Sequence, residues 1–170
     1  MIDRLCLEIA TGVHLSYIPG WLLRRTPLSR LGLPPRWTGG GLVGTALGWA
    51  LVGLLPSDGW SGAAALAAAA GAAVFVCGRA ESVLGGHDDP RIIFDETVGF
   101  WFAAYGHPRA FAPMLAAFLL FRVFDASKPG PLRRLDALPG GLGVTIDDLA
   151  AGVLANLSLC ALALAFPALA

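Results

Sequence analysis

Residues 124–152 read F-D-A-S-K-P-G-P-L-R-R-L-D-A-L-P-G-G-L-G-V-T-I-D-D-L-A-A-G. Seven ionisable groups lie in this stretch: Asp125, Lys128, Arg133, Arg134, Asp136, Asp147 and Asp148. It leads directly into an uncharged apolar tail, 150–170. Acids and bases set against a membrane segment are costly unless they do something. The stretch itself cannot sit in hydrocarbon, so it belongs at a membrane surface. The expected fold is all-α: a small polytopic membrane helical bundle of about four to five segments, with interfacial helices at the N-terminus.

Composition agrees. The chain is 56% hydrophobic and only 14% charged, against about 25% charged in a soluble domain, and its mean hydropathy is +0.67. Its 170 residues make one domain. A formal net charge of zero gives no global attraction to nucleic acid. Cys6, Cys77 and Cys160 are far apart and form no C-x-x-C, so neither a zinc motif nor a disulfide framework is expected.

Outward from the central stretch, residues 1–36 mix Asp3, Glu8 and five arginines with Leu and Trp. Acids break this segment early, unlike a signal peptide. Short surface helices are expected, with Trp21 and Trp37 at headgroup depth. Residues 37–170 then form the bundle. Segment 37–55 is uncharged, and its Gly40, Gly44 and Gly48 fall on one helical face. That stripe would pack a neighbouring helix, within the chain or in a second copy. Pro56-Ser57-Asp58-Gly59 is a turn. Segment 59–78 is mostly Ala, which suits a helix enclosed by others. A polar loop, 79–91, follows. Segments 92–105 and 110–124 are short and apolar, and 150–170 is the last span, with Asn156 inside it. With the N-terminus in the cytoplasm and five alternating segments, eleven of the twelve basic residues fall on the cytoplasmic side. Only Arg109 falls outside.

Three acidic clusters carry the chemistry. Asp95 and Glu96 follow Asp88-Asp89 and point about 100° apart on a helix, so they can serve different partners. Asp125 precedes Lys128, which Pro129 and Pro131 stiffen. Lys128, Arg133 and Arg134 supply the point and forked cations that hold phosphate. The blander reading of the arginines is a loop touching anionic headgroups. Asp147-Asp148 follow a glycine-rich turn, and Thr145 with Asp148 has capping-box spacing. Acids in a first helical turn also suit the helix dipole. Hard carboxylate oxygens from several segments suit Mg²⁺. His14, His87 and His107 are too scattered for zinc. No Walker loop, C-x5-R loop or G-x-S-x-G elbow occurs.

Asp88, I-I-F-D-E-T-V-G (92–99), F-R-V-F-D-A-S-K-P-G-P (121–131), Asp136 and G-G-L-G-V-T-I-D-D-L-A-A-G (140–152) occur in order and nearly ungapped. On these residues the chain resembles the phosphatidylglycerophosphatase A family of bacterial lipid phosphatases. The family usually opens with P-G-T-x-G-S. Here R-W-T-G-G-G (36–41) keeps Thr38 and Gly40 only. The resemblance implies a multi-pass enzyme of the bacterial inner membrane. It would hydrolyse phosphatidylglycerophosphate to phosphatidylglycerol and phosphate with Mg²⁺, at the cytoplasmic face. Residues and resemblance together put Asp95, Glu96, Asp147 and Asp148 on Mg²⁺. Lys128, Arg133, Arg134, Asp88 and Asp136 are expected on the substrate. Asp125 is expected as general base or further ligand, with Asp95 and Asp148 also taking part in catalysis. A transport protein is the rival from another class, since intramembrane acids also mark ion pathways. It would place acids along a path across the membrane, and here they gather near one face. A helix-packing scaffold would leave the clustered carboxylates unexplained.

Overall fold

The computed structural model describes residues 1–26, 38–57, 59–86, 89–130, 132–135 and 138–166, without the side chains of 23, 24, 133 and 134. The described residues form helices and connecting turns, with no strand among them: α1 (Ile2–Ala10), α2 (Tyr17–Arg25), α3 (Gly40–Leu51) with a 3-10 turn (Val52–Leu54), α4 (Gly59–Leu84), α5 (Phe94–Ala104), α6 (Phe111–Ser127), the single turn α7 (Leu132–Leu135) and α8 (Gly141–Ala165). Trp37, Asp58, His87, Asp88 and Asp136 lie outside the described residues, as do the side chains of Arg133 and Arg134.

Helix α5 is the axis of the bundle. It is packed by α3, α4, α6 and α8, and Val98, Phe100 and Ala103 are fully buried. A helix apolar all round is an enclosed helix. Glycines bring its neighbours to backbone contact. A Cβ on Gly44 would lie 2.6 Å from the Ile93 carbonyl, and one on Gly48 would lie 2.7 Å from the Thr97 carbonyl. The Thr97 hydroxyl donates to the Gly44 carbonyl at 3.0 Å, and the Trp101 indole donates to that of Gly48 at 2.9 Å. The Gly40–Gly44–Gly48 stripe therefore packs inside the chain, on α5 and the turn before it. On the opposite side, a Cβ on Gly152 of α8 would collide with the Gly99 carbonyl. Trp49, Phe100 and Phe118 stack between α3, α5 and α6.

Several sequence expectations change. Among the described residues only α4 and α8 are long and apolar enough to cross a bilayer. Helix α5 has 11 residues, about 16 Å at 1.5 Å per residue. Helix α4 is not enclosed. It runs six residues past Gly78 to Leu84, and only 28% of its most apolar window is covered. It touches α1, α5 and α8 along one side, and the rest of its Ala surface stays bare. A contiguous bare apolar face of this kind suits lipid.

The capping box at Thr145 does not form. Helix α8 starts at Gly141 behind Gly140, whose φ of 64° is open to glycine and costly for other residues. Asp147 and Asp148 therefore lie in the second turn of α8, beyond the reach of the cap and of most of the dipole.

Candidate active site

The start of α5 is fixed from outside. The Ile93 amide donates to the Ala10 carbonyl at 2.8 Å, so the end of α1 holds the residue that begins the helix. Asp95 and Glu96 then fall in the first turn, where the exposed amides of the helix favour negative charge. Asp95 accepts a hydrogen bond from the Glu96 amide at 3.0 Å. The Gly99–Gly152 contact between α5 and α8 places Asp148 opposite this turn. One carboxylate oxygen each from Asp95, Glu96 and Asp148 lies within 4.8 Å of the others. The expected 100° divergence of Asp95 and Glu96 does not separate them. Glutamate is longer by one methylene, and both side chains reach the same centre.

The cluster is rich in acceptors. Asp95 and Asp148 are 4% and 5% exposed, and Glu96 Oε2 is buried with no hydrogen-bond donor. Two carboxylates within 4.8 Å of each other would repel by about 3–4 kcal/mol if both were ionised, at an effective dielectric near 20. That is a large share of the usual stability of a domain. Three carboxylate oxygens close together, one buried oxygen of them without a hydrogen bond, fit a hard divalent cation.

Two ion pairs flank the cluster. Lys128 Nζ meets Asp147 Oδ2 at 2.6 Å. Lys128 ends α6 with φ 40° and ψ 62°, a left-handed conformation that costs a non-glycine residue roughly 1–2 kcal/mol. Asp147 thus stands on Lys128, beside the three-carboxylate group and not in it. Arg122 Nη1 meets Asp125 Oδ2 at 2.6 Å, one turn apart on α6, and also reaches the Thr45 hydroxyl at 3.3 Å.

All seven of these charged side chains line one cavity of about 600 Å³. Thr38, Gly39, Gly40 and Gly41 line it too, so the stretch that departs from P-G-T-x-G-S borders the site. At the rim, Asp89 accepts two hydrogen bonds from the Arg91 guanidinium, at 2.8 and 2.6 Å. These bonds hold the Asp89 carboxyl below its ordinary range, against the opposing effect of partial burial.

Of the residues expected on the site, the structure brings together Asp95, Glu96, Asp125, Lys128, Asp147 and Asp148. Sequence reasoning passes over Arg122, although its signal is present. It sits three residues before Asp125, the spacing of a helical ion pair. Read alone within an apolar run, it counts only as one more cytoplasmic cation.

The phosphatidylglycerophosphatase A family model matches residues 27–163. A Bacteroides thetaiotaomicron protein provisionally named a phosphatidylinositol-3-phosphatase is 36% identical over 121 residues, covering 68% of this chain and 76% of its own length. The phosphatidylglycerophosphatase A of Haemophilus influenzae is 37% identical over 124 residues, covering 72% and 75%. That of Escherichia coli K12 is 37% identical over 83 residues, or 48% of each chain. No solved structure matches the chain significantly. The carboxylates of α5 and α8 and the cation–acid pairs of α6 and α8 fall within the matched span, and the chain belongs to the phosphatidylglycerophosphatase A family.

Proposed function

We propose that this protein hydrolyses phosphatidylglycerophosphate to phosphatidylglycerol and inorganic phosphate, with Mg²⁺, at the cytoplasmic face of a bacterial inner membrane. The observation that carries the reading is one cavity in which three crowded carboxylates lie beside two cations, each on its own acid. A lipid phosphomonoester brings negative charge that such a set of cations receives.

Asp95, Glu96 and Asp148 would hold Mg²⁺, which when bound draws charge from the phosphate oxygens and polarises the phosphorus. Lys128 would hold a phosphate oxygen, kept in place by Asp147 and by its fixed backbone. Arg133 and Arg134, in the turn after it, would add positive charge toward the headgroup. Asp125 pairs with Arg122 outside the three-carboxylate group, which supports a base role over a ligand role. Its second oxygen would take a proton from the attacking water as the new P–O bond forms. The bond to the glycerol oxygen breaks, and that oxygen leaves with a proton from solvent. Preorganised charges of this kind do most of their work on the transition state.

The bilayer would be crossed several times, by α4 and α8 fully and by the shorter α3, α5 and α6 packed with them. Eleven of the twelve basic residues fall on the expected cytoplasmic pieces, which supports that orientation. Carboxylates gathered at one end favour an enzyme over an ion pathway.

Purified protein in detergent, given phosphatidylglycerophosphate with and without Mg²⁺, tests the reading by phosphate release. No release with Mg²⁺ present would overturn it. A second substrate, phosphatidylinositol-3-phosphate, is favoured by the name of the Bacteroides relative. Parallel kcat/KM values for the two lipids decide between them.

A further inference from the structure

We infer that Arg122 is a phosphate-binding residue of the site, and that Gly41 is the positioning residue that seats it. The inference rests on the phosphatase reading above and names a second cation for it.

The argument starts at Gly41, in the first turn of α3. A Cβ there would lie 2.8 Å from Arg122 Nη1, 2.9 Å from Nη2 and 2.8 Å from Glu96 Oε1. Real Cβ contacts are not that short. The missing side chain is therefore a notch, filled by both terminal nitrogens of the guanidinium and by one oxygen of the carboxylate cluster. The guanidinium is also held by polar partners. Nη1 binds Asp125 Oδ2 at 2.6 Å and faces Thr45 Oγ1 at 3.3 Å. Three elements thus fix one side chain: α3 by a notch and a hydroxyl, α6 by its own acid, and α5 by Glu96.

A counter-ion alone needs none of this. Arginine presents a planar fork whose two amines match two oxygens of one phosphate. Both amines border the same notch, and Arg122 lines the cavity with Lys128. The arrangement mirrors Lys128 on Asp147: each cation is anchored by one carboxylate and lines the cavity. A phosphate would then meet a fork on one side and a point charge on the other. Any side chain at position 41 would push the fork away.

The neighbouring atoms are ends of flexible side chains, so a larger residue at 41 moves them at little cost to the fold. Gly41→Ser therefore perturbs the site and leaves the protein folded. Arg122→Gln removes the charge, and Arg122→Lys keeps the charge without the fork.

The test is titration of the full chain in detergent, with Mg²⁺ alone and then with inorganic phosphate in saturating Mg²⁺. Arg122→Gln is expected to weaken phosphate binding about tenfold or more and to bind Mg²⁺ no more weakly than wild type, since a cation beside Glu96 has gone. Gly41→Ser follows in the same direction with a smaller loss, and Arg122→Lys recovers part of the affinity. In lipid hydrolysis Arg122→Gln lowers kcat/KM more than Gly41→Ser does, and Arg122→Lys recovers part of it. Unchanged phosphate affinity in both Arg122→Gln and Gly41→Ser overturns the inference. So does parallel loss of Mg²⁺ binding, phosphate binding and Tm, which is the signature of a structural counter-ion. Wild type that releases no phosphate from either lipid instead overturns the phosphatase reading itself.

Discussion

The two ends of the bundle both gather polar groups, with opposite arithmetic. At the end away from the carboxylates, donors meet backbone acceptors. The Asn156 amide points at the carbonyls of Phe102, Ala103 and Tyr105, at 3.1, 3.1 and 2.6 Å. The Tyr105 hydroxyl donates to the Gly59 carbonyl, and the Arg109 guanidinium to those of Leu55 and Gly53. Most of these carbonyls lie at or just past the C-terminal ends of α5 and of the 3-10 turn, where they lack partners in their own helix. At the carboxylate end, the acids Asp95, Glu96, Asp125, Asp147 and Asp148 outnumber the cations Arg122 and Lys128, and Glu96 Oε2 has no donor at all. Buried polarity alone does not mark a functional site. Polarity that balances within the chain holds the fold together, and an excess of one kind calls for a ligand.

Metal removal breaks this comparison most completely. Exhaustive EDTA treatment is expected to bring phosphate release to background, and added Mg²⁺ to restore it. The far end contains no comparable acid cluster among its described residues, so secondary structure by circular dichroism should survive the chelator. Undiminished turnover after EDTA would remove the divalent cation from the account.

Asp148→Asn comes next. The change keeps size and removes one negative charge from the three-carboxylate group. Loss of about 10²-fold or more in kcat/KM is expected, roughly 2.7 kcal/mol of transition-state stabilisation. Less mutual repulsion remains in the variant, so its Tm without Mg²⁺ should equal or exceed that of wild type. Asp148 in the second turn of α8 has no capping duty. Near-wild-type activity would leave Asp95 and Glu96 as the centre of the metal hypothesis.

Legibility in the sequence follows the same divide. The acids are visible because charge inside an apolar segment is costly and persists only where it has a partner or a task. Their assembly into one group is not visible, because it depends on the Gly99–Gly152 contact between two helices distant in sequence. Thr145 and Asp148 have cap spacing, yet Gly140 takes the turn five residues before Thr145 and starts α8 early. Thin Ala side chains suggest an enclosed α4, but residue size does not say how many neighbours arrive. The glycine stripe of α3 is legible as a packing face, and its partner is not, since sequence spacing carries no address. Arg122 is hard to single out because its role depends on a notch in another helix.

Asn156→Ala tests the other half of the comparison, with a moderate effect. It removes a part-buried donor shared by three carbonyls at the end of α5. A stability loss of about 1–3 kcal/mol is expected by denaturant titration. Asn156 lies two turns of α8 beyond Asp148, so kcat/KM at low temperature should stay within about threefold of wild type. A large activity loss without a stability loss would mean the two ends are coupled, and that the donor end is more than scaffold.

The smallest effect concerns His107, between α5 and α6 at the donor end. Its ring lies 3.7 Å from the Cys160 sulfur. Burial pushes its pKa below the ordinary 6.5, with the contacts to Asn156 acting the other way. In the unfolded chain the imidazole gains its proton as pH falls through 6.5. In the folded chain it resists until lower pH. Across that window the unfolded state binds more protons, so stability falls as pH falls. His107→Gln has no proton to gain and should lose this slope. Thermal unfolding at about pH 7.5 and pH 5.5 reads it, as the range in which histidine titrates. The wild-type Tm should drop more than that of the variant. The difference is small because the ring is partly open to solvent, which screens the charge. The carboxylate end titrates alike in both proteins and cancels in the comparison. Equal slopes would mean that His107 takes up its proton in the folded state without penalty, and that this end is wetter than its hydrogen bonds indicate.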